Sequence, residues 1–171
     1  TGMSLVDALK LDDTILDISI TPNRGDCLSV LGLAREVAAI TGLPLTMPEI
    51  RRFESGDDVA GELSLEVLQP ELCQLYHGRI IEGAATRKSP DWMRYRLNSI
   101  GVRAISNLVD VTNYILMELG PSLDSFDRDT IRCHRIIVRG SSEVEPCITL
   151  DAHERVLTSS ASTIRSAERF S

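Results

Sequence analysis

With 171 residues, 43% apolar and 25% charged, the chain has the composition of a soluble globular protein that can bury a core as one domain or two small ones. No apolar run approaches the roughly 20 residues that a bilayer span requires, and the opening TGMSLVDALKLDD lacks the charged start and apolar core of a signal peptide. A net charge of −7 argues against a surface given over to phosphate binding, though it leaves room for a local basic patch.

SLVDALKL (4–11) reads as a short helix. TILDISI (14–20) sets Leu16, Ile18 and Ile20 against Asp17 and Ser19, the period-2 pattern of a half-buried strand. TPNRGD then turns the chain, since Pro22 fixes φ and Asn23 and Gly25 tolerate left-handed backbone. Asp26 is the expected N-cap of a helix carrying Cys27, Val30, Leu31, Ala34, Val37 and Ala38 on its apolar positions. Gly42 closes that helix and Pro44 prevents its continuation. Residues 46–62 lose all periodicity and read as a linker. Strands are predicted at 63–70 and 75–83.

KSPDWMRYRLNSIG predicts a helix with Ser89 as N-cap, Pro90 at the first helical position and Asp91 complementing the dipole. Met93, Leu97 and Ile100 share a face, and Gly101 ends it. A further helix is predicted over 107–119, between Ser106 and Gly120. Strands follow at 135–140, 147–151 and 155–159, with 151–154 as a turn, before a Ser-rich tail of weak pattern. The order predicts an α+β fold with a mixed, largely antiparallel sheet and a few packed helices. It predicts two small modules, 1–45 and 63–171, joined by the linker 46–62, and the opening Thr leads us to expect a piece of something longer.

Three stretches could carry chemistry. TPNRGD is explained as a turn and cap, but a helix start beside Arg24 could also take an anion. Arg87, Lys88, Arg94, Arg96 and Arg103 cluster against a single Asp91, with Trp92 and Tyr95 interleaved. That is either a solvated helix face or an edge that contacts phosphates and stacks bases. In VDVTNYILMELG, Asp110, Thr112, Asn113 and Tyr114 interrupt an apolar helix. A helical Thr can place its hydroxyl on a preceding carbonyl, whereas a buried Asn has donors and acceptors to satisfy, so core and pocket both remain open. Cys27, Cys73, Cys133 and Cys147 form no C-x-x-C pair and are expected to be buried free thiols. His77, His134 and His153 lack ligand spacing, so no metal is expected.

Taken together, LDDTILDISITPNRGDCLSVLGLAREVAAITGLPL, YHGRIIEG, SPDWMRYRLNSIGVRAISNLVDVTNYILMELG and IIVRGSSEVEPCITLDAHERVL resemble, in order, the bacterial phenylalanyl-tRNA synthetase β-subunit family. The first segment resembles the end of its B1-type region and the others its B3/B4-type editing domain. The resemblance implies part of a cytoplasmic α2β2 ligase whose β subunit hydrolyses tyrosine misesterified to phenylalanine tRNA. It implies ATP and Mg for the parent enzyme, no cofactor in this segment, and phenylalanine tRNA and the α subunit as partners. It places Thr112 in the editing pocket as a catalytic position, with Asn113 and Arg103 as substrate-binding neighbours. Arg87, Lys88, Arg94 and Arg96 become candidate tRNA contacts. The family has a His in a GQPxHAFD segment; here GPSLDSFD puts Asp124 at that place, as the second catalytic position. The family pattern fades after Leu157, which implies an incomplete editing site, inactive in isolation. A non-catalytic RNA-binding or subunit-assembly module is the alternative. A free-standing editing relative would need a complete pocket.

Overall fold

The computed structural model describes residues 2–9, 11–56, 58–141, 145–149, 152–157 and 162–166. Contacts divide the chain into two compact units, Thr1–Arg51 with Ala84–Ser125 and Arg52–Gly83 with Phe126–Ser171. The units interleave the linear segments: 84–125 packs with the N-terminal region, whereas 52–83 packs with the C-terminal strands.

The first unit is helical. After α1 (Leu5–Leu9) the predicted strand 14–20 is absent: residues 11–20 have neither helix nor strand, and Leu16 is 73% exposed. Alternation yields a strand only where a second backbone completes its ladder, and no described residue pairs with this stretch. A 3-10 turn, Gly25–Cys27, precedes α2 (Val30–Thr41), so the helix begins later than expected. Ser29, not Asp26, is the N-cap, and its Oγ accepts from the Gly32 N–H at 3.0 Å. Asp26 is unavailable as a cap because Arg24 holds its carboxylate. A Cβ on Gly32 would stand 1.9 Å from the Asp26 carbonyl oxygen, so only glycine lets the turn fold back on the helix. Gly42 ends α2 in the left-handed region (φ 71°), as expected.

α3 (Asp91–Ser99) and α4 (Asn107–Leu119) match their predicted spans closely. Pro90 rather than Ser89 occupies the N-cap position of α3, because the Ser89 hydroxyl donates to Asp110 instead. Met93 and Leu97 are buried as expected, but Ile100 is 49% exposed, since α3 has ended and the chain turns at Gly101 (φ 81°). α4 packs on both α2 and α3. Its C-terminal Gly120 (φ 98°) lies against Ser29, where a Cβ would stand 3.3 Å from Oγ. Trp92 of α3 meets Tyr114 of α4 edge to face, with centroids 5.4 Å apart.

The second unit carries the strands. β1 (Ser64–Val67) pairs in parallel with β2 (Arg135–Gly140), which pairs antiparallel with β5 (Ser162–Ser166); β3 (Glu145–Ile148) and β4 (Glu154–Leu157) form an antiparallel hairpin. The α+β class with a mixed sheet therefore holds. Ile136, Ile137 and Val138 are all buried, so both faces of the central strand are covered. β5 escaped the sequence reading because its Ser-rich stretch shows no apolar alternation; its backbone pairing to β2 defines it. The predicted strand 75–83 does not form; Gly78 presses its backbone on Leu65, where a Cβ would stand 2.8 Å from Cδ1. β3 begins two residues before its predicted start, and predicted strand residues 150–151 and 158–159 lie outside the described residues. Arg139 grips the buried Glu145 bidentately at 2.7 and 2.9 Å, and Arg135 pairs with Glu66 of the adjacent strand. All four cysteines are free, but only Cys27 is buried; Cys133 is exposed.

Leu97 is 1% exposed and anchors α3. Leu97→Ala is expected to lower stability by about 3 kcal/mol, and Ile100→Ala by less than about 1 kcal/mol, in urea unfolding of the chain.

Candidate functional site

The polar residues of α4 divide into two groups. Those of the first turn are structural. Asp110 is 1% exposed and fully satisfied: Oδ1 accepts the Ile105 N–H at 2.7 Å, Oδ2 accepts the Ser89 hydroxyl, and its own N–H donates to the Ser106 carbonyl at 2.7 Å. Asn107 pairs with the segment before α3. Its N–H donates to the Arg87 carbonyl at 2.8 Å, its Oδ1 accepts the Arg87 N–H at 2.7 Å, and its Nδ2 donates to the Ala85 carbonyl at 3.0 Å. The Asp110 question raised by the sequence thus resolves in favour of a satisfied core group. Asn107 was not singled out by sequence reasoning; its spacing of three from Asp110 at a helix start is the signal that was there to read.

The second group faces outward. The half-buried Thr112 donates its hydroxyl to the Val109 carbonyl at 2.8 Å, which leaves its oxygen free to accept. Asn113 is half-buried, and Asp124 is exposed in a segment without regular structure. Among the described residues no hydrogen bond joins Thr112, Asn113, Arg103 or Asp124 to one another. A cleft of about 590 Å³ is lined by Val6, Asp7, Asp12, Asp13, Trp92 and Arg96, and Thr112 is not among its walls.

The basic stretch is similarly split. Lys88 and Arg94 pair with Asp91 at 3.4 and 3.0 Å. Arg96 donates to the Tyr114 hydroxyl at 3.0 Å, and that bond raises its pKa. Arg87 and Arg103 are exposed and make no ion pair among the described residues.

In the TPNR turn, Arg24 binds Asp26 through Nε (3.0 Å) and Nη2 (2.8 Å), Glu36 of α2 at 2.6 Å, and the Cys27 sulfur at 3.1 Å. This locks the turn to the helix. Asp26, Cys27 and Glu36 form the kind of donor cluster that can hold a metal ion, but the guanidinium bonded to all three already supplies the positive charge. The same guanidinium holds the Asp26 carboxyl down at about 2, while burial pushes the Cys27 thiol up.

The helix pair α3–α4 and the β3–β4 hairpin fall within residues 72–169, which match the B3/4 domain, and the chain belongs to that family. The match continues beyond Leu157, past the point at which the sequence pattern was read as fading. More specifically, the chain is similar to phenylalanine–tRNA ligase beta subunits. It is 57% identical to that of Nitratidesulfovibrio vulgaris over 168 residues, 98% of this chain and 21% of the relative. Identity is 57% over 164 residues with Oleidesulfovibrio alaskensis (96% and 20%) and 51% over 156 residues with Syntrophus aciditrophicus (91% and 19%). The chain spans about a fifth of the length of these curated relatives. Among the described residues no helix is long and apolar enough to cross a membrane.

A carboxyl depressed in the folded state contributes stability above its unfolded pKa, and that contribution is lost as pH falls through the folded value. For Asp26 the window runs from about 4 down to about 2. In Arg24→Ala, Asp26 is expected to titrate near 4, which carboxyl NMR shifts across pH 1.5–6 will show.

Proposed function

We propose that the chain is a portion of a phenylalanine–tRNA ligase beta subunit that takes part in tRNA binding and in hydrolytic editing of tyrosine wrongly esterified to phenylalanine tRNA. The observation that carries this reading is 57% identity over 98% of the chain to a relative of that name. On this reading residues 1–45 are a B1-type segment, 46–62 a linker and 63–171 part of the editing domain. The parent enzyme is a cytoplasmic ligase that uses ATP and Mg and pairs this subunit with an α subunit.

A pocket for phenylalanine discriminates poorly against an analogue that merely adds a hydroxyl, so a second, hydrolytic site is the physical remedy. Ester hydrolysis there needs a water held beside the carbonyl and donors toward the developing oxyanion, which is positioning rather than covalent chemistry. The Thr112 oxygen, with its hydrogen on the Val109 carbonyl, can accept from that water or from a ribose hydroxyl. Asn113 and Arg103 stand as substrate contacts. The basic stretch Arg87, Lys88, Arg94 and Arg96 tracks phosphates, with Arg87 the strongest of these because it is exposed and unpaired among the described residues. Asp124, as an ionised carboxylate, accepts but cannot donate, and so it can orient a water but not stabilise an oxyanion.

The alternative, a non-catalytic RNA-binding or assembly module, is favoured by one observation: the Thr112 hydroxyl has its hydrogen engaged by its own helix. Deacylation of tyrosine-charged phenylalanine tRNA by the full synthetase separates the two. Thr112→Ala is expected to slow the step about tenfold or more, the equivalent of one hydrogen bond of about 1.4 kcal/mol, with Asp124→Ala also altering the rate. Unchanged rates in both variants support the non-catalytic module.

A further inference from the structure

Arg87 and Arg103 stand on two non-helical segments that flank α3, 84–90 and 100–106. A cation on a loose loop loses conformational freedom when it takes hold of a phosphate, and that loss weakens binding. These segments are instead fixed from one place, the first turn of α4. Asn107 engages Arg87 through both backbone groups of that residue, N–H and carbonyl, and reaches the Ala85 carbonyl as well. Asp110 takes the Ser89 hydroxyl on one oxygen and the Ile105 N–H on the other, so the two segments meet on a single carboxyl group. The second segment is also held by Asn98, whose Oδ1 accepts the Ala104 N–H at 3.3 Å. Arg87 and Arg103 each precede an Asp110-bound residue by two positions, which keeps each arginine Cα within about 7 Å of its anchor.

The remaining cations of the stretch are engaged elsewhere. Lys88 and Arg94 share the single carboxylate of Asp91, and Arg96 is bonded to Tyr114 in a cleft walled by Asp7, Asp12 and Asp13. The phosphate-binding capacity of the stretch therefore concentrates on the two arginines that the clamp presents.

We propose that Asn107 and Asp110 are positioning residues for RNA binding: together they present Arg87 and Arg103 as a pre-set pair of cations for the phosphate backbone of tRNA. This rests on the RNA-binding reading above, moves Arg103 from the substrate contacts to the phosphate contacts, and adds which cations bind most and what holds them. Asn107 sets Arg87, and Asp110 ties the Arg87 and Arg103 segments to each other. Neither clamp residue touches the RNA.

The test is a double-mutant cycle in the full synthetase, with an unmodified phenylalanine tRNA transcript bound over a range of salt concentrations. Arg87→Ala and Arg103→Ala are each expected to weaken binding and to lower the slope of log K against log salt by about one. Asn107→Ala is expected to weaken binding about fivefold with Arg87 present and less than about twofold in the Arg87→Ala background, because its effect passes through that arginine. If Asn107→Ala does not fold, Asn107→Asp serves in the same cycle: it keeps the acceptor for the Arg87 N–H, loses the donor to Ala85, and is expected to give a smaller loss with the same dependence on Arg87. Equal losses in both backgrounds would overturn the positioning role and leave RNA binding by the arginines standing. Unchanged affinity and slope in both arginine variants would overturn the RNA reading, and the clamp with it.

Discussion

The helical unit depends on how a buried carboxyl group is satisfied. Asp110 sits at 1% exposure inside an amphipathic helix, and a polar group so placed is tolerated only when its hydrogen bonds are complete. Here they are completed by Ser89 from the start of α3 and by the Ile105 amide from the connection between the helices. The choice has local consequences. The Ser89 hydroxyl is withdrawn from capping α3, and Pro90 takes the N-cap position without a side-chain bond. In exchange the start of α3, the start of α4 and the chain between them are tied into one corner by hydrogen bonds to a single carboxyl group.

A second constraint of the same kind fixes the TPNR turn. Arg24 bonds a carboxylate on its own turn and another on α2, so the turn and the helix cannot separate without leaving charges unpaired. Gly32 makes the close approach feasible, and Ser29 caps the helix while touching Gly120 at the far end of α4. One polar lock thus sits at the start of α4 and the other beside the start of α2. Neither depends on a large apolar core, which suits a unit in which Leu16, Val37 and Ile40 remain largely exposed.

Much of this was legible in the sequence where the signal is local. Gly42 and Gly120 ended their helices as read, and the spans of α3, α4 and β2 were read closely. What failed was decided by partners distant in sequence. TILDISI alternates like a strand but meets no second strand among the described residues, and β5 lacks the pattern yet is fixed by pairing with β2. Asp26 and Ser89 are both good caps by type, but each is claimed by a stronger partner, Arg24 and Asp110. At the candidate site, sequence reasoning raised the Asp110 question without being able to answer it. It also grouped five cations that the fold divides into engaged and free, because ion pairing at three-residue spacing competes with any ligand for Lys88 and Arg94.

The most direct test is amide hydrogen exchange at Ile105 in the chain and in Asp110→Ala. If the carboxyl group holds the corner together, the Ile105 amide loses at least about tenfold in protection, the amides of Arg87 and Asn107 follow, and Ile137 in the other unit is unchanged. Protection at Ile105 that is the same in both proteins would contradict the account.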